Sequence, residues 1–323
     1  MGCPQHSGLA KPRLPVYEIH MSKNETIFAP SQQPMTLALL VLPQASILEV
    51  ASTLDPLRSA NRHLGHTAYN WRVVTPNGQA APLTCGIELP SNGPLAAAEG
   101  ADALVVIAGF RQSEVATAPL IRDLSRMSRQ FTALGGIDAG AWVLARAGLL
   151  NGFKATVHWE DHEDLAAAHP QVDVLPDRYV IDRNRFTAGG AAPAADLMLH
   201  LIRARHGAGL ARQVAASFIT TPRPGHEPQL AQKTSDPRLD PRLASAIARM
   251  EAQIDTPEPV SEIAASLNLS PRRLEQLFRQ TLGSTPAAYA LGLRLAAARR
   301  MITDTHHPLA EIALRTGFAS ASN

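Results

Sequence analysis

Residues 136–160 read GIDAGAWVLARAGLLNGFKATVHWE, and this stretch decides the fold. Residues 131–137 form an apolar run of strand length that ends in Gly135-Gly136-Ile137, and residues 139–149 carry a helical pattern. Between them stands Asp138, flanked by the small residues Gly136, Ala139, Gly140 and Ala141. A strand, a sharp turn on small residues and a helix make the geometry of a nucleophile elbow, which holds one side chain up at a helix N-terminus. Twenty residues on, residues 155–157 read as a short strand that ends at His158, followed by Trp159 and Glu160.

Working outward, the same alternation continues on both sides. Residues 36–42 (TLALLVL) are a continuous apolar run, followed by an amphipathic helix over 47–64 in which Glu49 stands near the start. Strands are expected at 71–75, closed by Pro76-Asn77-Gly78, and at 103–108 (ALVVIA). Helices follow at 161–168 and 192–205, with two short strands, 179–181 and 185–187, around the turn Asp182-Arg183-Asn184. Continuous apolar strands alternating with helices predict an α/β domain with a parallel sheet covered on both faces, here over 35–206.

The chain has 323 residues with 30 Lys+Arg against 28 Asp+Glu, so two domains are expected and any nucleic-acid surface must be local. Cys3 and Cys85 are the only cysteines, which excludes a disulfide framework and a Cys-rich zinc site. No apolar run reaches the roughly 18 residues that span a bilayer. Residues 1–34 lack a signal-peptide core and read as a disordered tail, so a cytoplasmic protein without a membrane partner is expected. Residues 207–241 are read as a linker, because Pro222, Pro224, Gly225, Pro228, Pro237 and Pro241 crowd its second half.

Residues 242–323 read as helical throughout. A short helix over 260–267 carries Ile263, Ala264 and Leu267 inward, and Asn268-Leu269 makes a tight turn. Ser270 then caps a second helix with Pro271 at its first position, and Gly283 ends it. Leu274, Leu277 and Phe278 form the inward stripe, leaving Arg272, Arg273, Gln276 and Arg279 to other faces. Two short helices around a tight turn, the second rich in Arg and Gln, suit major-groove reading; a helical packing domain with solvated arginines is the plainer alternative. After a long helix over 286–303, residues 308–320 (PLAEIALRTGFAS) echo the first helix and turn.

SEIAASLNLSPRRLEQLFRQTLGSTPAAY, RLAAARRMI and PLAEIALRTGFASAS together resemble the AraC/XylS transcription regulators, whose reading domain joins two helix-turn-helix units by a long helix. The resemblance implies a second recognition helix from about Ser320–Asn323, where the sequence stops, so the second unit is expected to be incomplete. The first domain resembles the class I glutamine amidotransferase-like fold in its ThiJ/PfpI branch, and the combination is similar to the GlxA-type subfamily. That branch places a cysteine at the elbow, a histidine after the next strand and a glutamate after the first, the places of Asp138, His158 and Glu49 here.

Aspartate at the elbow excludes thiol chemistry, and a carboxylate is a poor nucleophile without an unusually activated substrate. The site is therefore read as a former active site kept as a ligand pocket, against the alternative of a PfpI-like amidase or hydratase with an appended helical domain. Asp138 is expected to be ionised at the helix N-terminus, with Trp142 one turn on and Trp159 and Glu160 beside it. Aromatic faces among carboxylates suit an ammonium or guanidinium group. The resemblance agrees, since the regulators it points to respond to carnitine, glycine betaine, sarcosine or arginine. Plainer readings stand beside each residue: Trp142 as core, His158 as a structural histidine, Glu49 as a cap of its own helix. His158 and His162, and the pair His306-His307, resemble metal ligands only in spacing, and neither a metal nor a cofactor is expected. The expectation is a DNA-binding, homodimeric transcription regulator that responds to a small amine, betaine-like or cationic amino-acid effector, and not an enzyme.

Overall fold

The computed structural model describes residues 26–229, 240–304 and 307–320. Strands β1 (Met35–Val41), β2 (Tyr69–Val74), β5 (Ala103–Ala108), β6 (Ala133–Asp138), β9 (Tyr179–Asp182) and β10 (Arg185–Ala188) form one sheet in the order β2-β1-β5-β6-β10-β9. Every pairing is parallel except the β9–β10 hairpin. Its central strand, β5, is buried at all six positions, which is why its sequence has no polar alternation. Two small ribbons, β3 (Ala81–Pro82) with β4 (Glu88–Leu89) and β7 (Lys154–Ala155) with β8 (Asp173–Val174), lie outside this sheet.

Helices cover both faces. Leu57 and Ala60 of α1 (Ile47–Leu64) pack with Leu197, Leu201 and Ile202 of α6 (Ala191–His206) in one apolar layer. The opposite layer holds α3 (Ala118–Met127), α4 (Gly140–Arg146) and α5 (His162–Ala168) through Leu120, Leu124, Val143, Leu144 and Leu165, with the single turn α2 (Gln112–Val115) at its edge. The start of α1 is fixed by a capping box: the Ser46 hydroxyl accepts from the Leu48 N–H at 3.2 Å, and Glu49 accepts from the Ser46 N–H. Gly65 ends the helix at φ 74°.

The structure corrects three boundaries. Residues 208–217 are not linker but a helix, α7 (Ala208–Ser217), whose Leu210, Ala211, Val214 and Ala215 extend the first core layer. The first domain also reaches back into the expected tail: Ile27 and Phe28 are buried, Phe28 edge-on to Phe186 at 5.7 Å. The strand leading to His158 is only β7, and it pairs with β8 rather than with the main sheet. Residues 1–25 of the expected tail and 230–239 of the expected linker lie outside the described residues.

The second domain contains α8 (Pro241–Ala252), α9 (Val260–Ser266), α10 (Pro271–Leu282), α11 (Pro286–Asp304) and α12 (Leu309–Arg315). Leu243, Ile247 and Met250 of α8 close over Ile263, Ala264, Leu274 and Phe278, which makes one core under α9 and α10. Asn268, at φ 55°, makes the turn between them, and Ser270 caps α10 through the Arg273 N–H at 3.2 Å. Beyond α12, Arg294 lies 4.0 Å over the Phe318 ring and donates to the Thr316 carbonyl at 2.9 Å. The expected start of a second recognition helix falls largely on residues 321–323, outside the described residues.

Candidate functional site

Asp138 has φ 55°, the left-handed region that a non-glycine residue adopts only under local compulsion. Two contacts supply it. The Ala139 N–H is bound to the Ala108 carbonyl at 3.0 Å, and Gly140 lies so close to β5 that a Cβ there would sit 2.1 Å from the Val106 carbonyl oxygen. The elbow expected from the sequence is therefore present, with α4 seated directly on the neighbouring strand. Because Asp138 precedes the turn, it lies outside the helical spacing of α4.

The sheet order brings Glu49, at the start of α1 after β1, across β5 to Asp138 at the end of β6. The two carboxyl groups neighbour each other. Burial pushes both pKa values up; Asp138 goes well above the ordinary range because the Glu49 carboxylate and, more weakly, Glu160 add to burial. Glu49 also accepts from the Ser46 N–H. Burial and the neighbouring Glu49 thus oppose the charge expected on Asp138, and Glu49 both caps its helix and belongs to the site.

His158 enters from the loop after β7, its ring facing Gly190 and its Nδ1 3.8 Å from Glu160 Oε2. The half-exposed Trp159 ring lies 5.7 Å from the His158 ring, at the rim. Trp142 is differently placed from its expected position as a turn-mate of Asp138. It packs against the α4–α5 apolar layer, edge-on to His169, and its indole N–H reaches Asp161. Asp161, absent from the sequence-based set, is the residue that links Trp142 to the cluster. Its pKa is pushed up to about 7 by burial and by the charges of Asp138 and Asp164. Four carboxyl groups, Glu49, Asp138, Glu160 and Asp161, and one imidazole thus share a site rimmed by one indole. His162 turns away from it, with Nε2 2.9 Å from the Val157 carbonyl, so His158 and His162 do not converge. A cavity of about 450 Å³ lined by Pro43, Thr75, Leu95 and Leu120 shares no residue with this cluster.

A second residue missed in the sequence is Gln229. Its amide donates to the Val157 carbonyl at 2.7 Å and the Thr156 hydroxyl at 2.9 Å, beneath the segment that carries His158 to Asp161. Gly189 leaves the room: a Cβ there would fall 2.0 Å from the Gln229 amide.

In the second domain, Arg272, Arg273, Gln276 and Arg279 are all exposed on α10, opposite the buried Leu274, Leu277 and Phe278. Arg273 Nη1 donates to Gln276 Oε1 at 2.8 Å, and Arg279 pairs with Glu275 at 2.9 Å.

The chain thus joins an α/β domain that carries an elbow to a helix-turn-helix domain. Residues 35–204 match the DJ-1/PfpI family, and residues 263–323 match the helix-turn-helix domain of AraC type. The HTH-type transcriptional regulator CdhR of Pseudomonas aeruginosa is 36% identical over 286 residues, covering 88% of this chain and 84% of its own. The regulator GlxA of Rhizobium meliloti is 30% identical over 298 residues, 91% of each chain. A crystal structure of an AraC family transcriptional regulator from Pseudomonas putida superposes with a TM-score of 0.53 at 30% identity, covering 57% of this chain and 100% of that one. The chain belongs to the AraC-type transcription regulators that carry an N-terminal DJ-1/PfpI domain. The wider family also holds enzymes, among them an isonitrile hydratase.

Proposed function

We propose that this chain is a cytoplasmic, homodimeric transcription regulator whose first domain binds a small organic cation at the elbow and does no chemistry there. The carrying observation is Asp138 in the left-handed elbow conformation, where an attacking group would stand, with its carboxyl group buried beside Glu49. A carboxyl group is a poor nucleophile without an unusually activated substrate, but a cluster of four carboxyl groups is a sink for positive charge. A quaternary ammonium is weakly hydrated, so its entry costs little desolvation, and the Trp159 face adds a contact of roughly 0.5–2 kcal/mol. Betaines and cationic amino acids fit this chemistry. A thermal-shift panel tests it: glycine betaine, carnitine and arginine raise the unfolding midpoint by linkage, and neutral or purely anionic analogues of the same size do not. Stabilisation by the anions alone would overturn the cation reading.

The DNA contacts follow from α10. Arg272 and Gln276 lie one turn apart at its exposed start and face base edges; Arg273 and Arg279 meet phosphates. Arg273 already holds the Gln276 amide oxygen, which leaves the amide hydrogens of Gln276 for a base. Arg272→Ala is expected to cost about 1–3 kcal/mol on the preferred duplex and to relax sequence preference, whereas Arg279→Ala weakens all duplexes alike. Selection of bound sequences from a random pool, repeated with each variant, separates the two; equal losses on preferred and random duplexes for Arg272→Ala would remove it as a base reader.

A further inference from the structure

The cation site and the DNA reader meet on one short helix. α5 starts directly from the segment that carries His158, Glu160 and Asp161. In its first turn, Asp164 Oδ1 accepts from Arg315 Nη1 at 2.8 Å, and Arg315 belongs to α12 of the reader. Arg315 also holds Glu311 on its own helix at 3.0 Å. At the first residue of α5, His162 Nε2 lies 3.2 Å from the Gln229 amide, so the root of the segment joining the domains is fixed to the same element. Asp164 is part of the field of the carboxylate cluster, since its charge acts on Asp161 alongside that of Asp138.

We propose that Arg315 and the bound cation compete for the negative charge shared by the elbow cluster and Asp164, so that ligand entry weakens the hold of the first domain on the reader. The inference rests on the cation reading of the site and adds its regulation. A cation seated among Asp138, Glu160 and Asp161 cancels field at Asp164 and reduces the attraction for Arg315. The converse holds by reciprocity: anything that takes Arg315 off Asp164, including DNA that engages the free reader, tightens the cation. The Arg315–Asp164 pair is partly exposed on both sides, so the coupling is modest and sensitive to salt.

The test uses the full chain and glycine betaine as probe, followed by tryptophan fluorescence. Arg315→Ala removes the competing charge and is expected to bind the probe about two- to fivefold more tightly at low salt. The gain should shrink at high salt, and Arg315→Lys, which keeps the charge, should bind as the wild type does. A looser fold would not produce tighter binding that salt abolishes and lysine reverses. Unchanged or weaker binding by Arg315→Ala at low salt overturns the competition while leaving the cation site standing. Failure of the probe to bind wild type and variant alike overturns the site reading, and the competition with it.

Discussion

Asp161→Asn is expected to raise the stability of the protein at pH 8 and to leave it nearly unchanged at pH 4. The sign comes from where the proton sits. In the unfolded chain Asp161 titrates near the ordinary aspartate value, but in the folded protein it is pushed up to about 7. Between those two values the folded state holds a proton that the unfolded state has lost, so stability falls as pH rises through the window and is level above it. The full shift corresponds to roughly 4 kcal/mol as an upper bound, since each pKa unit is worth about 1.4 kcal/mol. Asparagine carries no charge to desolvate, and its oxygen still accepts from Trp142. Thermal unfolding of wild type and variant at the two pH values reads the difference, several degrees at pH 8 on the usual scaling. An equal midpoint at pH 8 would mean that the Asp161 carboxylate is solvated and not a member of the cluster.

The second large effect is expected at Gly140. Its Cβ position lies 2.1 Å from the Val106 carbonyl oxygen and 2.9 Å from the carbon, both backbone atoms of a strand buried at every position. Alanine there cannot be accommodated by a rotamer change, so α4 must lift off β5. The lift breaks the Ala139 N–H bond to the Ala108 carbonyl and releases Asp138 from its left-handed conformation. Overpacking costs typically about 1–3 kcal/mol, and the lost bond adds about 1, so a destabilisation of about 2–4 kcal/mol is expected. Gly209, on α7, meets nothing within 4 Å, and Gly209→Ala serves as the control that should be neutral or mildly stabilising. Denaturant unfolding of both variants checks this; a Gly140→Ala protein as stable as the control would refute the tight seat of the elbow.

The sheet was legible because its strands are continuous apolar runs, and β5 and α1 have the bounds read from the sequence. Glu49 marked the start of α1, as Ser270 and Pro271 marked that of α10. α7 was hidden by Gly207 in front of it, Gly209 inside its first turn and the prolines behind it. Its signal was the pairing of Leu210 and Ala211 with Val214 and Ala215, four residues on. The elbow was legible from its small residues, but the charge state of Asp138 was not. That state depends on Glu49, 89 positions earlier, and only the strand order places the two together. Asp161 looked like an ordinary helix start, and nothing local marked its burial or its neighbours Asp138 and Trp142. Gln229 stood in a stretch read as linker, with nothing local to mark the acceptors beneath His158.

The account turns on whether the elbow cluster holds a cation, and calorimetric titration of the full chain with glycine betaine at pH 6 and pH 8 tests that most directly. A cation binds best to the ionised cluster, and Asp161 loses its proton near pH 7. The affinity should therefore rise by about tenfold from pH 6 to pH 8, with protons released on binding at the lower pH, and the rise should vanish in Asp161→Asn. Binding of equal strength at both pH values in the wild type, with no proton released, would contradict the carboxylate cluster as the seat of the ligand.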